Sequence, residues 1–454
     1  MAKTIVPDNH FVHCHSHCEY SQFDGMAKLE ELVMESRRRG SPAMAVTDHG
    51  NMSAAIKFIQ YANATRDKDN EPIVYDPIKP IIGMETYLSR KHDVHKQVDK
   101  KKGNRHLVLL AKNFAGYQNL CLLSQRAWLD GFYSNPRVDL HMLADHSEGL
   151  ICSSACLSSV INANLAADRY GEAKKSATIL KDIFGADFFL EVQFHGLTEE
   201  KHIIPDIFKL SLELDIPIIA TNDSHYIHKH QGTSQEVLMC MNQSSCIYNP
   251  KRVHFPYNEF HLKSGPEMSE IWGHTPSVLH NTVALAERVD DQDIAKNLFG
   301  GMRLPPFQVP DEYAGPQEFL EHLAQEGMKK LGWDKSPEHI KALDKELGDI
   351  NIVKENNNYD FATYFLIVWD YVKHATENNI LTGCGRGSAY ASVLLRCLGV
   401  TYGPDPIKYG LLWERFLGFD TKRFILESDF GFEEDKDVVR IVTVDADEED
   451  EVII

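Results

Sequence analysis

A chain of 454 residues, 43% hydrophobic and 25% charged, has the composition of a globular protein and the length for roughly two to four domains. Its net charge of −19 argues against a surface generally coated by nucleic acid. No apolar run approaches the ~18 residues of a membrane span, and the first residues lack a basic start followed by a long apolar core, so a cytoplasmic protein without membrane contact is expected.

Nine cysteines, odd in number and without a CxxC pair, suggest neither a disulfide framework nor a zinc ribbon. In chain order, the apolar pair Phe11-Val12 leads into His13, His15 and His17, which alternate as residues on one face of a strand do. Imidazoles converging at a strand end suit a metal ion. Strand-like segments follow at 12–15, 43–47, 80–88, 107–111, 149–153, 188–192 and 216–220, with helical spacing over 28–39, 53–64, from 115 onward, 158–167 and 171–184. Seven strands interleaved with helices predict a parallel α/β sheet, closed as a barrel. The basic stretch 90–105 reads as a solvated loop, with DNA-backbone contact as the alternative.

Barrels and open α/β sheets place chemistry at the carboxyl ends of their strands. Here the first strand offers His13, His15, His17 and then Asp24, the second runs into Asp48-His49, and the third contains Glu85. The fifth ends in Cys152-Ser153-Ser154-Ala155-Cys156 and the seventh runs into Thr221-Asn222-Asp223-Ser224-His225. Ligand-type residues after five of seven strands point to a site for several metal ions. His106 fits this pattern less well, since it opens its strand. Glu19, Asp48, His195 and His228 are left outside the set.

The segments FVHCHSHCEYSQFDG, AMAVTDHGNM, IKPIIGMETYL, RHLVLLAKN, LICSSACLSS and IIATNDSHYI resemble the polymerase-and-histidinol-phosphatase (PHP) domain that opens the alpha subunit of bacterial DNA polymerase III, in the C family of replicative polymerases. The resemblance covers residues 9–263. It implies a distorted seven-stranded barrel holding two or three divalent metals (zinc, manganese or iron). The ligands it implies are His15, His17, Asp24, His49, Glu85, His106, Cys156, Asp223 and His225, with His13 in a supporting role. A thiolate at Cys156 would favour zinc. An intact ligand set implies 3′→5′ proofreading exonuclease activity.

Beyond residue 264 the spacing predicts a helical pair over 266–288 with a turn at 274–276, an irregular Pro-rich stretch over 304–316, and helices over 317–331, 339–355 and 364–375. Gly383-Cys384-Gly385-Arg386-Gly387-Ser388 then opens a helix over 389–398. A glycine-rich loop before a helix offers free N–H groups and a positive helix end to phosphate, and Arg386 and Ser388 add a guanidinium fork and a hydroxyl. Residues 364–417 resemble the palm of the same polymerase family, which implies that Gly385, Arg386, Gly387 and Ser388 bind the triphosphate of an incoming deoxynucleotide. Cys384 and Tyr390 depart from that family, which has proline and small residues there.

The family's Pro-Asp-x-Asp segment, whose aspartates hold magnesium for polymerisation, is not found after Leu417. Glu427 and Asp429 have the spacing without the proline; Asp445 and Asp447 are a weaker pair inside an acidic stretch that sets twelve acidic residues from Glu427 onward against Lys436 and Arg440. The expected organisation is therefore a PHP domain over 1–265, a helical linker over 266–355, a partial polymerase-beta-like nucleotidyltransferase palm over 356–426 and an acidic tail over 427–454. The implied partners are primer-template DNA, deoxynucleoside triphosphates, a second polymerase chain carrying fingers and the remaining palm, and a sliding clamp reached through that chain. Two alternatives remain: a stand-alone phosphoesterase for a small phosphate ester, and a non-catalytic scaffold.

Overall fold

Seven strands form one sheet in the computed structural model: β1 (Ala43–Val46), β2 (Lys79–Leu88), β3 (Arg105–Ala111), β4 (Arg137–Val138), β5 (Leu150–Ser153), β6 (Phe188–Val192) and β7 (Ile218–Ala220). The structure describes residues 7, 10–67, 70–89, 104–252, 255, 258–300, 304–357, 360–417 and the short strand pair 442–443 and 452–453. The sheet order is β1-β2-β3-β5-β6-β7, with β4 added to β2.

The two ends of this sheet are joined by the histidine-rich segment. His13 bridges Met44 in β1 and Ser16 bridges Ser224 just after β7. The Ala45 N–H donates to the His13 carbonyl at 2.7 Å, and the His17 N–H donates to the Ser224 carbonyl at 2.8 Å. Residues 13–17 thus act as the stave that curls the sheet closed, although as separate bridges and not as the regular strand expected over 12–15.

The sheet is not all parallel, as its strand-helix alternation had suggested. β3 runs antiparallel to both β2 and β5, whereas β1–β2, β5–β6 and β6–β7 are parallel. No helix is described between β2 and β3, so no crossover forces them parallel. This reversal puts the start of β3 at the same end as the carboxyl ends of the parallel strands.

Alternation along the strands divides the interior. Ala43, Ala45, Ile81, Val108, Leu110, Ile151, Phe189 and Ile219 share one apolar cluster with Leu285 and Ala286 of the helix Ser277–Glu287. The intervening Met44, Val46, Leu107, Leu109 and Cys152 face the outer core against the surrounding helices. Further along the inner rows, toward one end, the side chains turn polar: Thr47, Glu85, His106, Ser153, Glu191 and Thr221. One end of the barrel is therefore apolar and plugged, and the other is a polar basin.

The chain forms two compact units, residues 1–300 and 301–454. In the first, the helices Gly265–Trp272, Ser277–Glu287 and Asp291–Phe299 add Met268, Leu279 and Ile294 to the outer core. In the second, the helices Pro316–Leu331, Pro337–Asn357, Phe361–Glu377 and Val393–Cys397 surround Leu320, Met328, Leu343, Ile350, Leu366 and Leu394. No described helix is long and apolar enough to cross a membrane.

One side chain from the plug helix also supports the closing stave. The buried Thr282 hydroxyl accepts from the Val12 N–H at 2.9 Å and donates to the Leu279 carbonyl at 2.6 Å. Thr282→Val keeps the shape and strands that N–H, a loss of about 1–3 kcal/mol. Urea unfolding midpoints of the variant and wild type check this.

Candidate metal centre

Three histidines are held by their Nδ1 atoms and present Nε2 inward. Each tautomer follows from its partner. His15 Nδ1 lies 2.7 Å from Glu191 Oε1, and an ionised carboxylate only accepts. His17 Nδ1 lies 2.9 Å from Ser21 Oγ, whose hydrogen is already donated to Asp48 Oδ1 at 2.6 Å. His225 Nδ1 donates to the Asp223 carbonyl at 2.7 Å. A carboxylate, a hydroxyl relay or a carbonyl behind the outer nitrogen is the arrangement that orients metal-binding imidazoles.

The inner atoms then meet. His15 Nε2 and His17 Nε2 are 3.2 Å apart, and Asp223 Oδ1 is 3.2 Å from each. Ligand atoms around a tetrahedral ion with bonds of 2.0–2.1 Å are separated by ~3.3 Å, so this spacing fits a shared cation. Glu85 sits beside them, its oxygens 3.6 Å from the His15 and His17 Nε2 atoms. Its other contacts are His49 Nδ1 and His106 Nδ1, both at 2.7 Å. His49 Nε2 reaches Asp24 Oδ2 at 2.9 Å, and Asp24 Oδ1 is 3.7 Å from His225 Nε2. Cys156 Sγ lies 3.6 Å from His106 Nδ1 and 3.8 Å from Glu85 Oε1. All nine residues named by the resemblance thus converge on one basin. Three overlapping groupings bring their donor atoms within metal-binding reach: His15, His17 and Glu85; His17, His49 and His225; and His49, Glu85 and His106.

His106 joins because β3 is antiparallel. Glu85 pairs with Val108 across β2 and β3, so His106, two residues away, stands on the same face as Glu85. His13 does not join: its Nε2 meets the Lys263 carbonyl at 2.7 Å and its ring packs edge-on against Phe11. The histidine alternation therefore does not put all three rings on one face; the segment bridges β1 at His13 and the β7 end at Ser16, and His15 and His17 belong to the second contact.

Electrostatics favour a cation here. Burial alone would lower His15, but the Asp223, Glu191 and Glu85 charges push it up to about 10. Burial alone would raise Glu85 and Asp223, yet the imidazoles hold both below the usual carboxylate range. His17, buried and facing His49 and His225, falls to about 3 despite Asp223, so it stays a neutral donor. Burial alone would lower His49 and His225 as well, but neighbouring carboxylates raise both, so a bound cation would take the place of protons on these rings.

Sequence reasoning missed Glu191 and Ser21 and set Asp48 aside. Glu191 is fully buried and accepts from His15, Ser153, Thr221 and Gln193. Its signal was a lone acid in the apolar strand Phe-Phe-Leu-Glu-Val. His195, also left out, is a buttress: Nδ1 meets Glu200 at 2.6 Å and the ring stacks on Phe260.

In the second unit the loop 383–388 is exposed up to Gly387, with Gly385 and Gly387 at φ of +124° and +51°, values costly for other residues. The expected helix does not start at the loop. A 3₁₀ turn, Gly387–Ala391, intervenes, and the helix Val393–Cys397 begins with its N-terminus already filled: Glu346 accepts from the Val393 and Leu394 N–H groups at 2.8 and 2.9 Å and from Ser392 Oγ at 2.8 Å. A phosphate would therefore meet only the loop's own N–H groups with Arg386 and Ser388. Among the described residues no carboxylate pairs with Arg386. The Tyr390 ring covers Gly403 and its hydroxyl donates to the Gly385 carbonyl at 3.1 Å. Ser388, Tyr390 and Arg415 line a cavity of about 400 Å³. Glu427, Asp429, Asp445 and Asp447 lie outside the described residues.

Residues 13–195 match the PHP domain family, and residues 318–444 match the bacterial DNA polymerase III alpha NTPase domain. The chain belongs to the bacterial DNA polymerase III alpha family. It is 38% identical to DNA polymerase III subunit alpha of Borreliella burgdorferi over 95% of this chain and 36% of that protein, and 37% identical to that of Treponema pallidum over 95% of this chain and 35% of that protein. The chain spans about a third of the length of these relatives. A solved amidohydrolase from Chromobacterium violaceum overlies 47% of the chain and 87% of its own at 12% identity and a TM-score of 0.28.

Two outcomes follow for this polymerase III alpha homologue. Glu191→Gln keeps the volume but weakens the acceptor behind His15, so affinity of the centre for manganese or zinc should fall about 10- to 100-fold, read by calorimetric titration. Burial pushes Glu346 up to about 7 against the N–H donors of Leu394 and Val393. The folded state then holds this proton more tightly than the unfolded chain, whose carboxyl titrates near 4.5. Stability from this group is present at pH 4 and is lost as pH rises to about 7. Urea midpoints across that range should decline, and Glu346→Gln should flatten the decline.

Proposed function

We propose that this chain carries the nuclease and nucleotide-binding parts of a cytoplasmic replicative DNA polymerase: a metal-dependent 3′→5′ proofreading exonuclease in the first unit and a triphosphate-binding half palm in the second. The observation that carries the nuclease is the inward convergence of His15 Nε2, His17 Nε2 and Asp223 Oδ1 at 3.2 Å spacing beside Glu85. His15, His17, Asp24, His49, Glu85, His106, Cys156, Asp223 and His225 would hold two or three divalent ions. Histidine and carboxylate donors suit manganese, iron or zinc, and a Cys156 thiolate would favour zinc at one position.

Bound there, such ions supply an activated water and neutralise charge on a scissile phosphate. The chain's own residues do the rest. Glu191, Ser21 with Asp48, and the Asp223 carbonyl fix the three imidazoles so that no reorientation accompanies the reaction. In the hydrolysis, water adds to the phosphorus of the terminal nucleotide, the bond to the preceding 3′ oxygen breaks, and that oxygen takes a proton. The products are a nucleoside 5′-monophosphate and a strand one residue shorter.

Gly385, Arg386, Gly387 and Ser388 would hold the triphosphate of an incoming deoxynucleotide, with Glu427 and Asp429 as candidate holders of magnesium. Extension of a primer would require the two thirds of the relatives' length that this chain does not match, on the same polypeptide or a partner chain, and a sliding clamp would be engaged through that part. The relatives' identity as polymerase subunits favours this reading over a small-ester phosphoesterase or a scaffold.

His15→Ala and Asp223→Ala should each reduce manganese-dependent degradation of a 3′-mismatched primer by at least about 100-fold while leaving the thermal melt of the second unit unchanged. A wild-type protein loaded with manganese, and inert on the same primer, would reject the nuclease reading.

A further inference from the structure

Two aromatic rings stand in water beside the open side of the metal basin. Trp128, at the end of the helix Phe114–Leu129, is 52% exposed and Phe132 is 54% exposed. Their rings are nearly parallel, with centroids 5.4 Å apart and planes at 14°. They are tied to the basin by a short path. Trp128 Nε1–H donates to the Gly50 carbonyl at 3.2 Å, and Gly50 follows His49 directly. Gly50 has a φ of +62°, and a side chain there would strike Pro136 and crowd Tyr87. Tyr87 in turn stacks on His49 and meets His106 edge-on, with centroids 5.9 and 5.2 Å apart. His49, His106 and Asp24 are also among the basin's more accessible members, at 16%, 20% and 25% side-chain exposure, against 0–3% for His15, His17, Glu85 and His225.

We infer that Trp128 and Phe132 form a stacking platform for an unpaired nucleobase near the 3′ end of single-stranded DNA entering the metal basin. The inference rests on the nuclease reading of that basin and names its substrate as a frayed strand. Leaving two large rings in water is unfavourable, and a base face is the complement that covers them without requiring a given sequence. A proofreading site needs that tolerance, since any base can be misincorporated. The Trp128 N–H···O bond fixes its ring, so little freedom is lost on stacking.

The probe is a fluorescein-labelled 12-mer of deoxythymidylate, compared with the same oligomer carrying abasic sites at its last two 3′ positions. Binding is measured by anisotropy with the full chain in EDTA, and degradation in manganese. Wild type should prefer the intact end by roughly ten-fold or more. Trp128→Ala and Phe132→Ala should lose that preference while binding the abasic strand as wild type does, and Trp128→Phe, which keeps a ring, should retain most of it. Thermal melts confirm folding, and Phe132→Ala leaves the Gly50 bond intact. Preference unchanged in both alanine variants overturns the platform. Degradation that proceeds equally on intact and abasic ends overturns the platform and leaves the nuclease standing; base preference without any degradation does the reverse. If light scattering shows that wild type self-associates, Trp128→Ala does not, and DNA binding is equal in both, the patch is an interface between copies and the platform is wrong.

Discussion

The first unit depends on one constraint: residues 13–17 must close the barrel and fill the polar basin at once. The same five residues make the bridges to β1 and to the end of β7 and supply His15 and His17. Each imidazole is oriented from outside the basin, by Glu191 or by Ser21, so the ring can face inward only when β6, β7 and the 18–25 loop are in place. Fold and site are therefore one cooperative object. Glu191 shows the balance of costs. A fully buried carboxylate is expensive to desolvate, and it is tolerated because four donors meet its oxygens. Removing any of those donors unsettles both the barrel interior and the orientation of His15.

What the sequence made legible, and what it hid, follows from the range of the interactions involved. Helices at 317–331, 339–355 and 364–375 were readable because their signal is local periodicity, and they are observed at Pro316–Leu331, Pro337–Asn357 and Phe361–Glu377. Strand-end clustering pointed to the histidine run with Asp24, to Asp48-His49, Glu85, the stretch 152–156 and the stretch 221–225, since parallel strands deliver their carboxyl ends to one side, and the family resemblance picked the ligands out of these clusters. His106 looked misplaced only because strand direction is invisible in a single sequence. With β3 antiparallel, opening the strand and reaching the basin are the same position. Ser21 and Asp48 were hidden for another reason: short polar residues in a loop are common, and only the distance from Ser21 to His17 gives them meaning.

The second unit shows the converse, a local pattern that over-reads. A glycine-rich run before a helix suggests an anion site, and the argument draws half its force from the helix's positive end. Here Glu346, 47 residues upstream of Val393, is already in that place, buried and satisfied by two backbone N–H groups and Ser392. Long-range packing has used the helix end for a buried carboxyl group of the protein itself. What remains for a ligand is the loop itself, with two glycines in conformations that other residues reach only with strain, an exposed Arg386 and a half-buried Ser388.

The proposed phosphate site is then narrower and more specific than the motif implied. A helix end attracts any anion through a diffuse dipole, whereas a guanidinium fork, a hydroxyl and a few N–H groups favour an anion with several oxygens in a fixed array. A triphosphate has such an array; a lone carboxylate does not. Tyr390 sharpens the point, because its hydroxyl holds the Gly385 carbonyl and its ring rests where Gly403 leaves room. The Tyr390 hydroxyl ties the loop at the Gly385 carbonyl, so part of the loop's shape is set by packing within this unit.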